Sequence, residues 1–355
     1  MKLLKIAINI IIFICIFVFL DFLYSLYCYE RLNNNSKKEY QNASKEKIEF
    51  YNSYIKPKYR YFKGVYNFKK LLKYNYETMK DTVEGNDKTK GSIIVFGGSF
   101  AYGAFLNQKD TLSYKLSKKT GRTVYNQAIP AMGFGQMLYQ TETQDFYNII
   151  KETPDYAMYV YIPDHLFRSC YYKYGIEHEY SDCYYLSYVL KNGRLEEKTP
   201  FINYLNRFKI FYDISKNILC SPKHFGTNDD ENFDFVKAHF VQARENLQKV
   251  YPNIKFVIIK YPFNDNNPAY YDKHSSEYAN MTTFYSNRWK ELEDMGFIIF
   301  DVKKYTGIDV NDSQYQLPDK HPNGNAWEAI TPKIIQTLKK LCKFCDKIFS
   351  KEKEC

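Results

Sequence analysis

From Gly91 onward the chain alternates between short apolar runs and amphipathic stretches, with Gly and Pro at many of the changes. The run "SIIVF" (92–96) has the length and β-branched content of a buried strand. "DTLSYKLSKKTG" (110–121) follows with helical spacing and Gly121 as its stop. "TVYNQ" (123–127) predicts a second strand, and "GFGQMLYQTETQDFYNIIKE" (133–152) a helix that ends before Pro154. "DYAMYVYIP" (155–163) predicts a third strand. Residues 165–230 interrupt the alternation and show little periodicity, as an insertion or lid would. It then resumes with a helix over 231–251, the strand "KFVIIKYPF" (255–263), a helix over 276–296 and the strand "FIIFDV" (297–302). A last helix runs from about Asn325 to Phe349. Strands alternating with helices predict an α/β fold, a parallel sheet covered by helices on both faces.

The N-terminus has a different pattern. Lys2 and Lys5 precede an apolar run from Ile6 to Leu20, broken only by Asn9. With Asp21 at headgroup level the run extends to Tyr27, close to the ~20 residues a bilayer requires. A cleaved signal peptide is the competing reading, but no small-x-small site follows the run. The expectation is a transmembrane anchor over 1–27, a juxtamembrane stalk or extension over 28–90, and a domain over 91–349 outside the cytoplasm. Arg31, Lys37 and Lys38 on the far side nearly balance the positive charge before the span, which weakens the orientation signal.

Composition narrows the partners. The formal charge of +10 suits an anionic envelope polymer or a membrane surface. It would also suit nucleic acid, but no recognition motif or dense Arg cluster accompanies it, so no nucleic-acid partner is expected. Eight cysteines in 355 residues do not make a disulfide scaffold. Cys170 and Cys183 can pair in an oxidising compartment, and Cys342 and Cys345 form one CxxC without the second ligand pair that zinc requires. No metal and no cofactor are expected, since P-loop, GxGxxG, HExxH and calcium-loop patterns are missing.

The candidate chemistry begins at "IIVFGGSFAYG" (93–103), where a strand ends on two glycines and a serine. Gly97 and Gly98 permit backbone angles closed to other residues, and Ser99 then stands at the carboxyl edge of a sheet where α/β proteins bind ligands. By itself Ser99 reads equally as a helix cap or a nucleophile. A serine hydroxyl needs a base, and the base is helped by a carboxylate that orients it. His321, in "LPDKHPNGNAWEAI", follows the last strand, and Asp319 lies two positions before it on a loop expected at the same edge. In an extended segment residues two apart point the same way. The plainer reading of this loop is a turn whose Asp caps the helix and whose His is exposed.

Four blocks in order, "FGGSFAYG", "YNQAIPAMGFG", "YVYIPDH" and "PDKHPNGNAW", resemble those of the SGNH/GDSL hydrolases, over about residues 91–340. The resemblance implies a three-layer, flavodoxin-like α/β/α fold and a serine hydrolase mechanism on ester or acetyl groups, often carried by carbohydrates or lipids. Ser99 resembles the nucleophile, in GGS instead of the more usual GDS. His321 resembles the base and Asp319 its orienter, with Lys320 alone between them and Asp312 as fallback. Gly133 resembles the glycine whose N–H joins that of Ser99 in the oxyanion hole, Gly135 being the alternative register. The third block departs from the pattern. Where the family carries an Asn donor this chain reads Pro163-Asp164-His165, and His165 can donate from a ring nitrogen whereas ionised Asp164 cannot. Loss of one such donor costs on the order of 3 kcal/mol in the transition state. Arg168 is a candidate for binding an anionic or hydroxylated substrate, or a surface ion pair. The resulting expectation is a membrane-anchored esterase or acyltransferase acting on an acylated envelope glycan or lipid. Its alternative is a non-catalytic envelope protein that keeps the fold to bind a glycan or partner.

Overall fold

The computed structural model describes residues 9–10, 12–21, 23–24, 82–129, 133–163, 165, 188–197, 229–262, 286–318 and 320–351. The chain divides into two compact units. Within the first (1–68, 171–184 and 198–222), the described residues all fall between 9 and 24, are helical, and carry exposed apolar side chains such as Ile10 and Phe13. Among the described residues no helix is long and apolar enough to cross a membrane. The flanks of the expected 1–27 span and nearly all of the 28–90 stalk lie outside the described residues.

The second unit holds the sheet. Its strands are β1 (Thr82–Val83), β2 (Ser92–Gly97), β3 (Val124–Asn126), β4 (Pro154–Tyr161), β7 (Lys255–Lys260) and β8 (Ile298–Asp301), in the spatial order β1-β3-β2-β4-β7-β8. β1 pairs antiparallel with β3, and every other pairing is parallel. Strand β1 falls near the end of the segment expected as stalk or extension, and adds to the sheet at that edge. Taken alone, the parallel strands run second, first, third, fourth, fifth in chain order. This is the flavodoxin-like winding, whose ligand crevice opens at the carboxyl edge between the first and third strands, here β2 and β4.

Period-two burial builds both faces of the sheet. Ile94, Phe96, Tyr159, Tyr161, Phe256 and Ile258 point to one side, against α3 (Phe134–Glu142), α5 (Asp229–Val250) and α6 (Trp289–Asp294). Ile93, Val95, Met158, Val160, Val257 and Ile259 point to the other, against α1 (Ser99–Tyr102), α2 (Leu112–Thr120) and α8 (Gly324–Lys351). The short helices α4 (Gln144–Ile149) and α7 (Val302–Thr306) complete the set. The three-layer expectation therefore holds for the described residues.

Two local expectations are corrected. The helix predicted over 133–152 breaks at Thr143, which is extended. The Thr141 and Thr143 hydroxyls donate to Leu138 O and Gln140 O, and Tyr147 OH donates to Thr141 O, so side chains compete for the helix's backbone acceptors. Within the 165–230 insertion, Tyr188–Lys191 (β5) and Arg194–Glu197 (β6) form a hairpin turned by Asn192-Gly193, both at positive φ. An Asn-Gly pair between β-capable residues is a strong hairpin signal, and it stands in the sequence. The hairpin docks on α5, where Leu195 N donates to the Gln242 side chain and Gln242 Nε2 donates back to Leu195 O.

Candidate active site

β2 delivers Ser99 through a turn that tolerates little change. Gly97 has φ 138°, and a Cβ there would come within 2.9 Å of Ala101 Cβ and 3.0 Å of Val160 O. Both the backbone angle and the close approach of β4 thus require glycine. Gly98 is the N-cap of α1, and Ser99 is its first helical residue with no side-chain capping bond. The cap reading of Ser99 is therefore corrected. Its hydroxyl lies instead 2.7 Å from His321 Nε2. Ser99 is buried, at 9% exposure.

His321 reaches Ser99 because the chain stays at the carboxyl edge after β8. Asp301 ends that strand and accepts from Lys304 N, which starts α7 at the same edge. The loop 315–323 is then closed on itself. Lys320 N donates to Leu317 O at 2.9 Å, and Leu317 N donates to His321 O at 2.8 Å, with Lys320 at φ 71°. Asn323 fixes the far end: its Oδ1 accepts from Asn325 N and Ala326 N, capping α8, while Nδ2 donates to Gln314 O and Gln316 O. The helix cap expected of Asp319 is thus Asn323, and an Asn just before an apolar periodic run is a signal the sequence carries. Asp319 lies outside the described residues. The fallback Asp312 caps the 3-10 turn Ser313–Tyr315, accepting from the Gln314 backbone and side chain. Asn323→Ala should lower stability by about 1–2 kcal/mol, the usual loss for a cap, as a drop in the urea midpoint. An unchanged midpoint would show that the loop is held by other contacts.

The second block comes to the same edge by extending the sheet. Gln127 N donates to Val95 O and Ile129 N donates to Gly97 O, so the chain after β3 runs beside β2 toward Ser99. Gly133, buried, is the N-cap of α3, and Gly135 lies inside that helix's first turn. The buried Gln136 and Gln140 side chains both donate to Gln127 O, tying α3 to the segment that leads to Gly133.

His165, expected as an oxyanion donor, stands in an aromatic setting. It is fully buried, its Nδ1 lies 2.9 Å from Tyr159 OH, and its ring packs edge-on against Tyr159 and Phe134. These contacts belong to the aromatic core under α3 and α5, so a structural role for the imidazole is visible. Asp164 and Arg168 lie outside the described residues. Trp327 is wholly buried against Tyr261, a core residue.

Two residues near these groups carry no motif signal. Phe105 sits at φ 71° with its ring edge-on to His321 at 5.2 Å, and Phe100 contacts the same imidazole at 5.0 Å. His239 on α5 is fully buried, with Nδ1 2.9 Å from Phe235 O and its ring against Phe134 and Tyr188. Burial lowers its pKa to about 4, opposed by the Phe235 carbonyl.

No protein-family model matches the sequence, and no curated protein does. Solved structures do. The chain is similar to a psychrotrophic esterase from Pseudoalteromonas sp., at 13% identity and TM-score 0.35, over 72% of this chain and 100% of that one. It is likewise similar to a GDSL-like lipase from Bacteroides thetaiotaomicron, at 13% identity and TM-score 0.36, over 76% and 98% of the two chains. TesA is a third, at 12% identity and TM-score 0.36, over 70% and 99%.

Proposed function

We propose that this chain is a serine esterase or acyltransferase of the SGNH/GDSL kind, acting on an acylated glycan or lipid of the cell envelope. The observation that carries this reading is the 2.7 Å contact between Ser99 Oγ and His321 Nε2 at the crevice of the parallel sheet. A buried serine bonded to an imidazole is an activated nucleophile, because the ring removes the proton as the oxygen attacks. In the proposed reaction Ser99 Oγ attacks the ester carbonyl and His321 Nε2 takes its proton. Asp319 steadies the imidazolium, and the N–H groups of Ser99 and Gly133 hold the oxyanion. His321 then returns the proton to the leaving alcohol, which leaves an acyl-enzyme. Water ends the cycle in hydrolysis and a sugar hydroxyl ends it in transfer: each attacks the acyl carbonyl as His321 takes its proton, and the acyl–oxygen bond to Ser99 then breaks as His321 returns the proton to Ser99 Oγ. Arg168 is assigned to an anionic or hydroxylated part of the substrate.

The apolar run from Ile6 to Leu20 supports a single-pass membrane anchor with the catalytic unit outside the cytoplasm. The formal charge of +10 suits anionic envelope material. A second reading, a non-catalytic protein that binds glycan with the same fold, is favoured by one observation: the His165 imidazole is engaged by Tyr159 in the core.

The deciding experiment uses the full chain in detergent with a fluorophosphonate probe, intact-mass analysis and p-nitrophenyl acetate turnover. Wild type is expected to gain one probe adduct and turn over the ester, while Ser99→Ala does neither. Folded wild type that neither labels nor turns over would reject the enzyme and favour the glycan binder.

A further inference from the structure

We propose that Phe105 is a positioning residue for the His321 base, an inference that rests on the esterase reading of the same site. Phe105 sits where a phenylalanine is out of place. Helix α1 ends at Gly103, whose φ is 76° and whose added Cβ would come within 2.5 Å of Thr111 Cγ2. Leu106 N then donates to Gly103 O, closing a four-residue turn with Phe105 third and at φ 71°. A positive φ at the third position is the type II pattern, where Gly or Asn is the usual residue. A bulky side chain there is a backbone outlier, and such outliers gather at functional sites.

Burial does not account for the choice, because Phe105 is only half-buried whereas Phe100, in the same segment, is 3% exposed. The ring's contact does. Its plane meets that of the His321 imidazole at 85° with centroids 5.2 Å apart, the edge-to-face arrangement aromatic pairs prefer. Phe100 touches the same imidazole at 5.0 Å and is itself packed edge-on against buried Tyr261. One ring therefore ties the imidazole to the core, and Phe105, half-buried, ties it from the turn that follows α1. A base must stay within hydrogen-bond reach of its serine, and a displacement of about an ångström is enough to lose much of the rate. The strained turn thus holds a second ring against the base.

The test uses the full chain in detergent with Phe105→Gly, Phe105→Ala and Phe105→Tyr. Glycine removes both ring and strain, alanine removes the ring and keeps the strain, and tyrosine keeps both. Phe105→Gly should melt at or above the wild-type temperature, yet label with fluorophosphonate and turn over p-nitrophenyl acetate at least tenfold more slowly, with KM within twofold. Phe105→Ala should match that loss while melting lower, and Phe105→Tyr should stay within threefold of wild type. A readout independent of turnover is the His321 ring signal in histidine-labelled protein, assigned with His321→Asn. It should be sharp in wild type and broadened in Phe105→Gly.

Wild-type labelling rates in Phe105→Gly, or an unchanged kcat with raised KM, would overturn the proposal. An equally sharp His321 signal in Phe105→Gly would overturn it too, whether or not the protein is active. Failure of wild type itself to label would instead count against the esterase reading, and the ring signal would still decide the positioning role.

Discussion

His321→Gln is expected to slow labelling of Ser99 and ester turnover by roughly three orders of magnitude, about 4 kcal/mol of transition-state stabilisation. Glutamine preserves much of the volume and can still hydrogen-bond to the Ser99 hydroxyl, which lies 2.7 Å from the ring nitrogen. What it cannot do is accept the proton, and an alcohol that keeps its proton is a poor nucleophile at neutral pH. The loss should come from this chemistry and not from unfolding, because the loop around His321 is held by its own backbone bonds and by Asn323. The Ser99→Ala/His321→Gln double variant should be no worse than Ser99→Ala, since groups that act as one unit are not additive. Melting curves and labelling rates on the three variants make the comparison. Labelling of His321→Gln at the wild-type rate would mean that the Ser99–His321 bond is a structural contact and that the base lies elsewhere.

The second large effect concerns acid stability and arises far from Ser99 in the chain. His239 is held neutral in the folded protein, its pKa lowered to about 4 by burial among Phe134, Tyr188 and Phe235. An unfolded histidine titrates near 6.5. Between those values the unfolded chain binds a proton at this residue that the folded chain does not, so stability rises with pH across the window. The contribution is fully present above about pH 6.5 and is lost as pH falls through about 4, a total on the order of 3 kcal/mol. His239→Phe suits the aromatic surroundings and removes the titration, at the cost of the bond to Phe235 O. Urea midpoints from pH 4 to pH 7 should therefore fall with acid by about one proton's slope more in wild type than in His239→Phe. Parallel curves for the two proteins would refute the assignment. Because Tyr188 on the β5–β6 hairpin packs against this ring, hydrogen exchange in the hairpin should quicken over the same window.

Much of the scaffold was legible because burial leaves a local trace. "SIIVF" and "KFVIIK" are continuous apolar runs since helices cover both faces of their strands. Gly121 ends α2 in the left-handed conformation, as its place after the last periodic residue implies. The misses have local causes as well. Thr143 breaks a helix whose spacing looks continuous, because hydroxyls and a tyrosine compete for its acceptors. Asn192-Gly193 marks a hairpin inside a stretch without helical period, where turn chemistry was the informative signal. His165 and His239 carry no sign in the sequence of how deeply they lie, since a single polar residue has no period.

The sequence by itself therefore determined the kinds of element, their order, and the residue types able to do acyl chemistry, since each depends on neighbours a few positions away. It also pointed to Ser99 and His321 by the blocks around them. Only the tertiary structure decided that their side chains meet, across 222 positions of chain. That meeting depends on a strand order that places β2 in the middle of the sheet, and on a loop that stays at the carboxyl edge after β8. It likewise decided that Phe105 turns against the imidazole, whereas His165 turns into the core. The physical reason is the same in each case: periodicity records which face of its own element a residue occupies, and which other face it meets is set by the packing of the whole sheet.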